Sequence, residues 1–303
     1  MLLELTAAVI LCKLLFPLAR FLFVYTVGKK FFSSRKQLRN AGEWAIVTGA
    51  SAGIGKAYAS ELAKDGLKLF LLGNQEQELS DTARELAEKF GVETKIMVVD
   101  FTRNDIYEEI ETAVKSLSSI ACLVNNVGLF YPQSLEPWPE SSMVSFEFVR
   151  RIAWCNMVST ATMTRIVLPK MLVQHSPGSA IINLSSVSAF FPMPYFSLYA
   201  STKAFILAFS EALRNELLDT SIVIQAVCPS VVATGMTQVK PTRSVPSPET
   251  FAQSALDLLG VESVTSGYIY HVFKHMILTN ASVNVIKKRT LAAVQKRYKL
   301  RSD

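Results

Sequence analysis

Short apolar runs alternate with longer stretches of helical periodicity through the middle of the chain. The stretches between the runs, such as 75–90 and 105–118, repeat apolar residues at helical spacing, which predicts helices. The apolar runs lie at 44–48, 67–72, 95–99, 120–124, 179–184 and 222–228. Apolar strands that alternate with helices are typical of a parallel sheet covered on both faces. The pattern therefore predicts an α/β fold with a doubly wound parallel sheet.

An apolar segment of another kind precedes this pattern. Residues 5–27 are mostly apolar, interrupted by Lys13, Pro17 and Arg20. The segment is long enough to cross a bilayer, although a charge at its centre costs about 2.5–3.5 kcal/mol. A re-entrant or interfacial hairpin broken at Pro17 and a buried core helix are the alternatives. Five basic residues follow within 29–39, and the positive-inside rule then places the main domain in the cytosol.

Charge divides the 303-residue chain into three parts. The formal net charge is +6, yet residues 1–40 and 287–303 each hold seven basic residues and one acid, whereas 41–286 holds 17 basic residues and 23 acids. A nucleic-acid-binding domain needs its positive charge on the fold itself. The two basic ends instead suit an anionic membrane surface. The segment 268–286 is either a last core helix or an amphipathic membrane-surface segment, and we favour the second.

Composition excludes a disordered chain, because half of the residues are apolar and 18% are charged. No CxxC spacing indicates a metal pair or a redox couple among Cys12, Cys122, Cys155 and Cys228. His271 and His275 are four residues apart, as in a helical metal pair, but no third ligand follows. We therefore expect no metal, and we expect both histidines at an interface or on the surface.

A glycine-rich turn follows the first predicted strand and opens a predicted helix. Gly49, Gly53 and Gly55 lie within the sequence TGASAGIG. Glycines let the backbone approach a pyrophosphate, and the N-terminus of the helix supplies free N–H groups. The turn lies where α/β folds bind nucleotides. It therefore predicts a dinucleotide site.

The end of the second strand bears on the choice of cofactor. An acid there would bind the ribose hydroxyls of NAD, but the residues present are Gly73 and Asn74. NADPH is therefore favoured over NAD. No arginine stands at position 74 to bind a 2′-phosphate. Lys56 is a possible substitute, and an ordinary surface lysine is the alternative.

The pattern Tyr-x-x-x-Lys places a phenol and an ammonium one helical turn apart. A neighbouring cation stabilises phenolate, which lowers the pKa of the tyrosine and suits it to acid–base catalysis. The pattern occurs three times, as Tyr25/Lys29, Tyr199/Lys203 and Tyr270/Lys274. Only the second pair both follows the fifth predicted strand and opens a helix at a strand C-terminal end, where open α/β sheets place their sites. Only that pair has a serine, Ser186, thirteen residues before its tyrosine.

Taken together, these residues resemble the short-chain dehydrogenase/reductase family over about residues 40–275. The motifs that carry the resemblance are TGxxxGxG at 48–55, Asp100, Asn125-Asn126-Val127-Gly128, Asn156, Ser186, Tyr199/Lys203 and the segment Pro229–Thr234. Three stretches further resemble the branch of the membrane-bound 17β-hydroxysteroid dehydrogenase type 3 and the very-long-chain 3-oxoacyl-CoA reductase (type 12): 49–63, NNVG and VPSPETF at 245–251. Two departures are Asn74 in place of the usual arginine and Ser230 in place of a glycine.

The resemblance implies a Rossmann-type sheet and the roles of four catalytic residues. Tyr199 donates a proton to a substrate carbonyl oxygen, and Ser186 hydrogen-bonds that oxygen. Lys203 lowers the pKa of Tyr199 and holds the nicotinamide ribose, while Asn156 bends its helix and holds a proton-relay water. The implied cofactor contacts are Gly49, Ser51, Gly53, Ile54, Gly55, Asn74, Asp100, Asn125, Tyr199, Lys203, Val232 and Thr234.

These expectations lead to an NADPH-dependent carbonyl reductase of a lipid-like substrate, either a 3-oxoacyl-CoA or a 17-ketosteroid. A membrane scaffold without catalysis and a dehydratase or epimerase on the same fold are the alternatives. The expected pocket wall is the insert at 235–260, with Met236, Val239, Val245 and Phe251, and Lys240 and Arg243 are candidates for acyl-CoA phosphates.

The expected domains are a membrane segment and basic linker at 1–40, an NAD(P)-binding domain at 41–265 and an amphipathic segment with a basic tail at 266–303. The resemblance also implies the endoplasmic reticulum membrane, with the catalytic domain facing the cytosol, and dimers through the Tyr199 helix.

Overall fold

A parallel sheet organises the protein. The computed structural model describes residues 15–16, 19–131, 144–174, 177–191 and 194–302. Seven strands in this part of the chain pair in the order β3-β2-β1-β4-β5-β6-β7, all parallel. They are β1 Trp44–Thr48, β2 Lys68–Gly73, β3 Thr94–Val98, β4 Ile120–Asn125, β5 Ala180–Leu184, β6 Val223–Val227 and β7 Val264–Thr265. The predicted doubly wound parallel sheet is confirmed.

Helices cover both faces of the sheet. The longer ones are α1 Gly53–Lys64, α2 Glu76–Phe90, α3 Tyr107–Ser116, α4 Phe146–Ala153, α5 Ser159–Val173, α6 Ser197–Glu216, α7 Pro248–Leu256, α8 Ile269–Thr279 and α9 Val283–Ser302. A π-helical turn, Trp154–Val158, joins α4 to α5, and a short 3₁₀ turn, Val187–Ala189, follows β5. Four short turns precede the sheet: Val24–Gly28, Lys29–Phe31, Ser34–Gln37 and Leu38–Ala41.

Each face of the sheet buries a separate core. Alternate residues of a strand point to opposite faces, so Val47 belongs to one core, with Leu62 of α1, and Ile46 belongs to the other, with Val167 of α5. All five residues of β1 are buried. A strand covered on both sides has no polar face, which is why β1 appears in the sequence as an apolar run.

The strand order reverses between β1 and β4, and this reversal places the site. Chain segments that leave the carboxyl ends of these two strands turn to opposite sides, which opens a crevice there. The glycine-rich turn follows β1, and Asn126 follows β4. The sequence motifs therefore meet at one edge of the sheet.

The N-terminal turns pack against the C-terminal part of the chain. Val24 and Tyr25 form a small cluster with Leu258, and the ring centroids of Phe21 and Phe273 lie 5.2 Å apart. Within the described ranges, no helix combines the length and the apolar character needed to cross a membrane. Positions 1–14 and 17–18 of the predicted membrane segment lie outside those ranges.

Candidate active site

The glycine-rich turn between β1 and α1 forms a cradle that side chains would fill. Gly49 and Gly53 have φ angles of 65° and 59°, in the left-handed region that favours glycine. A Cβ atom on Gly55 would lie 2.1 Å from the carbonyl oxygen of Gly49. Ser51 and Ile54 belong to the same turn, and a Cβ on Gly73 would lie 2.5 Å from the Ser51 hydroxyl oxygen. This open turn at a helix N-terminus fits the pyrophosphate of a dinucleotide.

The β4 loop holds the cradle in place. The Thr48 hydroxyl oxygen accepts hydrogen bonds from the backbone N–H groups of Asn126 (3.0 Å) and Val127 (3.1 Å). In return, Nδ2 of Asn126 donates to the carbonyl oxygens of Thr48 (3.0 Å) and Gly49 (3.1 Å). Four hydrogen bonds therefore fix the two loops that border the crevice.

The side chain of the neighbouring Asn125 forms hydrogen bonds inside the fold. Its Nδ2 donates to Oδ1 of Asn183 at 2.9 Å and to the Thr164 hydroxyl at 3.2 Å. Asn183 lies on β5 and Thr164 on α5. Only 3% of Asn125 is exposed, so its side chain connects β4 to these two elements beneath the site.

Two predicted cofactor residues lie beyond the second and third strands. Asn74 directly follows β2 and is exposed. Asp100 follows β3, and its Oδ1 accepts a hydrogen bond from the N–H of Thr102 at 2.9 Å. The backbone N–H of Val99 donates to the Gly73 carbonyl, so both residues border the same end of the crevice. Lys56 forms an ion pair of 2.7 Å with Glu85.

Asn156 lies in the π-helical turn and connects three elements. Its Nδ2 donates to the Leu129 carbonyl and to the Thr202 hydroxyl, both at 3.0 Å, and its Oδ1 accepts from the Leu129 N–H at 2.7 Å. π-helical turns are frequent at functional sites, and the bend expected of this helix stays a prediction. Asn156 therefore positions the β4 loop against α6, which carries Tyr199. The water expected at Asn156 stays a prediction.

The structure brings Ser186, Tyr199 and Lys203 together. Ser186 follows β5, and its side chain lies near enough to Tyr199, the third residue of α6, to lower the pKa of that phenol. The Nζ atom of Lys203 donates to the Leu184 carbonyl at 2.8 Å and lies 5.7 Å from the centre of the Tyr199 ring. Ser185 donates from its hydroxyl to the Lys203 carbonyl at 2.7 Å. Ser185 directly follows β5, and this bond fastens α6 to that strand.

Burial governs the protonation of this pair. Desolvation raises the pKa of Tyr199 to about 12, against the opposing hydrogen bond from Ser186. Desolvation also lowers the pKa of Lys203 to about 8. The sequence led us to expect a lowered pKa for Tyr199, so that expectation is wrong for this structure, because loss of water outweighs the lowering effect of Ser186. A phenol that keeps its proton near neutral pH is a proton donor.

Sequence reasoning missed the aromatic residues that hold Tyr199. The ring of Phe130 meets the Tyr199 ring edge-on at 4.8 Å. The hydroxyl oxygen of Tyr131 accepts a hydrogen bond of 3.2 Å from the N–H of Leu198, in the first turn of α6. The two residues lie two and three positions after the NNVG motif, and that position was the signal available.

The loop after β6 ends beside the glycine-rich turn. Val232 is 2% exposed, and Thr234 Cγ2 lies 3.4 Å from where a Cβ on Gly53 would stand. Phe251, predicted in the pocket wall, is a fully buried core residue of α7, so that prediction is wrong. Met236 and Val239 are exposed on the loop between β6 and α7.

His271 is also fully buried, which contradicts the predicted surface or interface position. Among the residues that the structure describes, no group of three His, Cys, Asp or Glu side chains is able to hold a metal ion.

Comparison with known proteins agrees with this geometry. A family model described as short chain dehydrogenase matches residues 43–244. A very-long-chain 3-oxoacyl-CoA reductase from Macaca fascicularis is 43% identical over 242 residues, which cover 79% of this chain and 75% of the relative. The very-long-chain 3-oxoacyl-CoA reductase from Homo sapiens is 41% identical over 242 residues, which again cover 79% of this chain and 75% of the relative.

Among solved structures, a short-chain dehydrogenase from Sphingobium yanoikuyae in complex with NADPH is 29% identical. It superposes with a TM-score of 0.62 over 71% of this chain and 83% of its own. The glycine-rich cradle and the Ser186–Tyr199–Lys203 group both lie within residues 43–244, which the family model matches. The chain therefore belongs to the short-chain dehydrogenase family and is an oxidoreductase of CH–OH and C=O groups that uses a nicotinamide cofactor.

Proposed function

We propose that the protein reduces a long-chain 3-oxoacyl-CoA with NADPH, in the reduction step of very-long-chain fatty acid elongation. The observation that carries this proposal is the Ser186–Tyr199–Lys203 group at the carboxyl end of β5, beside a cradle suited to a pyrophosphate. The acyl-CoA is favoured over a 17-ketosteroid because the curated relatives are named for it.

The side chains suggest how a ketone would be reduced. Ser186 and Tyr199 are neighbours at the carboxyl end of β5, and both hydroxyls would hydrogen-bond the ketone oxygen. NADPH, when bound, supplies a hydride. Tyr199 then gives its phenolic proton to the oxygen as that atom gains negative charge. Lys203, held by the Leu184 carbonyl, keeps a positive charge beside the phenolate that remains and would also hold the nicotinamide ribose.

NADPH is favoured over NAD by the residues beside the adenosine end of the crevice. Asn74 replaces the acid that would bind the ribose hydroxyls of NAD and repel a 2′-phosphate. Lys56 lies on the first turn of α1, where its charge is shared with Glu85. Lys56 would leave Glu85 and pair with the 2′-phosphate instead.

The assay would follow NADPH oxidation by the full chain in detergent. A long 3-oxoacyl-CoA and a 17-ketosteroid would be offered side by side. We expect turnover of the acyl-CoA, and a loss of roughly a thousandfold in kcat in Tyr199→Phe, which lacks the donated proton. Tyr270→Phe is the matched control, because Tyr270 belongs to another Tyr-x-x-x-Lys pair and is 40% exposed.

Each result has a clear meaning. Turnover of the steroid alone would assign a hydroxysteroid dehydrogenase. Binding of NADPH without turnover by either substrate, together with unchanged cellular function of Tyr199→Phe, would favour a non-catalytic lipid-binding scaffold.

We also propose that two segments without acidic residues form a membrane-binding surface at the endoplasmic reticulum. Residues 5–42 hold seven basic residues and 263–302 hold eight, and neither holds an acid. The two segments contact each other through Phe21 and Phe273. Exposed apolar side chains lie on both, including Phe31 (69%) and Met276 (55%). Apolar and basic groups together suit a bilayer with anionic headgroups.

Flotation with vesicles tests this surface. We expect the full chain to float with vesicles that contain anionic lipid more than with neutral ones, and Met276→Glu to float less. Leu218→Glu is the control, because Leu218 is 66% exposed but lies at the end of α6. Equal flotation of both variants would refute a role for α8. Dimers through α6 stay a prediction.

A further inference from the structure

The loop after β6, residues 229–234, connects the two halves of the candidate site. At its start, the Pro229 carbonyl accepts a hydrogen bond of 2.9 Å from the N–H of Val187, the residue after Ser186. At its end, Thr234 packs against the position of Gly53 in the phosphate cradle. A dinucleotide would reach from the cradle to Ser186, and its nicotinamide half would therefore lie along this loop.

Groups outside the loop determine its shape. The N–H of Ala233 donates to the Pro246 carbonyl at 3.0 Å, and the Thr237 hydroxyl donates to the Val232 carbonyl at 2.6 Å. The first part of the loop is held from α8. The N–H of Ser230 donates to Nδ1 of His271 at 3.3 Å, and Nε2 of the same ring lies 3.1 Å from the Val231 carbonyl oxygen.

These two contacts assign the tautomer of His271. Nδ1 accepts a hydrogen bond and carries no proton, so the proton lies on Nε2 and is donated to Val231. The ring is fully buried and contacts Phe251 and Tyr268, whose ring centroids lie 5.8 and 5.5 Å away. Neutral imidazole, a donor and an acceptor in one rigid ring, thus bonds two consecutive residues of the loop.

We infer that His271 is a positioning residue for the nicotinamide half of the cofactor. Its neutral ring fixes the backbone of Ser230 and Val231. Val232 and Thr234, which follow in the same loop, are thereby held beside the cofactor. This inference rests on the proposed use of a nicotinamide dinucleotide at this site. It also explains why a serine is accommodated at 230, since Ser230 does not adopt a positive φ and the loop takes its shape from α8.

Affinity for whole and partial cofactors tests the inference. His271→Phe keeps an aromatic ring between Phe251 and Tyr268 but removes both hydrogen bonds to the loop. We expect the Kd of the full chain for NADPH to rise roughly tenfold, as the net loss of two hydrogen bonds implies. The Kd for 2′,5′-ADP, which lacks the nicotinamide half, is expected to stay within twofold. His275→Phe, one turn further along α8, is the matched control and is expected to leave both values unchanged.

His271→Gln gives a second, milder variant in case the phenylalanine variant fails to fold. Its amide keeps a donor for Val231, and we expect an NADPH affinity between those of the wild type and His271→Phe. An equal loss of affinity for NADPH and for 2′,5′-ADP in a variant would indicate a general structural role and overturn the inference. An unchanged affinity for NADPH would overturn it too. Failure of the wild type itself to bind NADPH would instead refute the proposed function.

Discussion

Substitution of Gly55 tests the phosphate cradle most directly. An alanine Cβ at this position would stand 2.1 Å from the Gly49 carbonyl oxygen and 2.5 Å from Nδ2 of Asn126. Contacts to a Cβ are ordinarily at least 3.4 Å, so the first approach is too close by more than 1 Å. The obstacle is backbone, which no side-chain rotation relieves. Gly55→Ala therefore has to move the cradle.

The sign and size of the effect follow from two opposing contributions. Alanine is favoured over glycine inside a helix by about 1 kcal/mol, and Gly55 lies within α1. Overpacking against fixed atoms costs about 1–3 kcal/mol, which leaves a net destabilisation of about 0–2 kcal/mol. Cofactor binding is expected to suffer more, because a displacement of about 1 Å in positioning groups can cost about a hundredfold.

The assay compares the Kd for NADPH with the melting temperature of the full chain. We expect Gly55→Ala to bind NADPH about a hundredfold more weakly, with a loss of only a few degrees in Tm. Gly235→Ala is the matched control, since no neighbouring atom lies within 4 Å of its Cβ position. Wild-type affinity in Gly55→Ala would refute the assignment of the cradle.

Three further predictions concern charge. Carbonyl reduction is expected to decline above about pH 8 in a kcat/KM profile, because Lys203, whose pKa is lowered to about 8, loses its proton there. Arg35→Gln is expected to lower the free energy of unfolding in urea by about 2–4 kcal/mol, since Arg35 is 12% exposed and pairs with three carboxylates. His271 has a pKa lowered to about 4 by burial, with a smaller contribution from the Lys274 charge. Its unfolded form takes up a proton below about pH 6.5 while the folded form does not, so wild type should lose about 2 kcal/mol more stability than His271→Phe between pH 7 and 5.

Each of these predictions has its contradicting result. A flat activity profile from pH 7 to 9.5 would remove the Lys203 charge from the mechanism. Equal stability of Arg35→Gln and the exposed control Lys36→Gln would show that the ion pairs of Arg35 contribute nothing net. Parallel loss of stability in wild type and His271→Phe on acidification would show that His271 is not held neutral.

Local pattern determined most of the sheet. Six strands begin and end within one residue of the runs chosen from the sequence, because strands covered on both faces are mostly apolar. The glycine-rich turn was equally visible, since backbone conformation and close approach there exclude side chains. β7 has only two residues, too few for any periodicity, and it was missed.

Tertiary structure decided what surrounds each residue. His271 has the helical spacing of a surface pair with His275, but its burial depends on a loop about 40 residues earlier in the chain. Phe251 lies in an insert that the sequence indicated for the pocket, yet the packing of α7 against α1 places it in the core. The pKa of Tyr199 follows the same rule. Spacing showed which cation lies near the phenol, but only the folded chain determines how much water both groups lose, and this loss decides the direction of the shift.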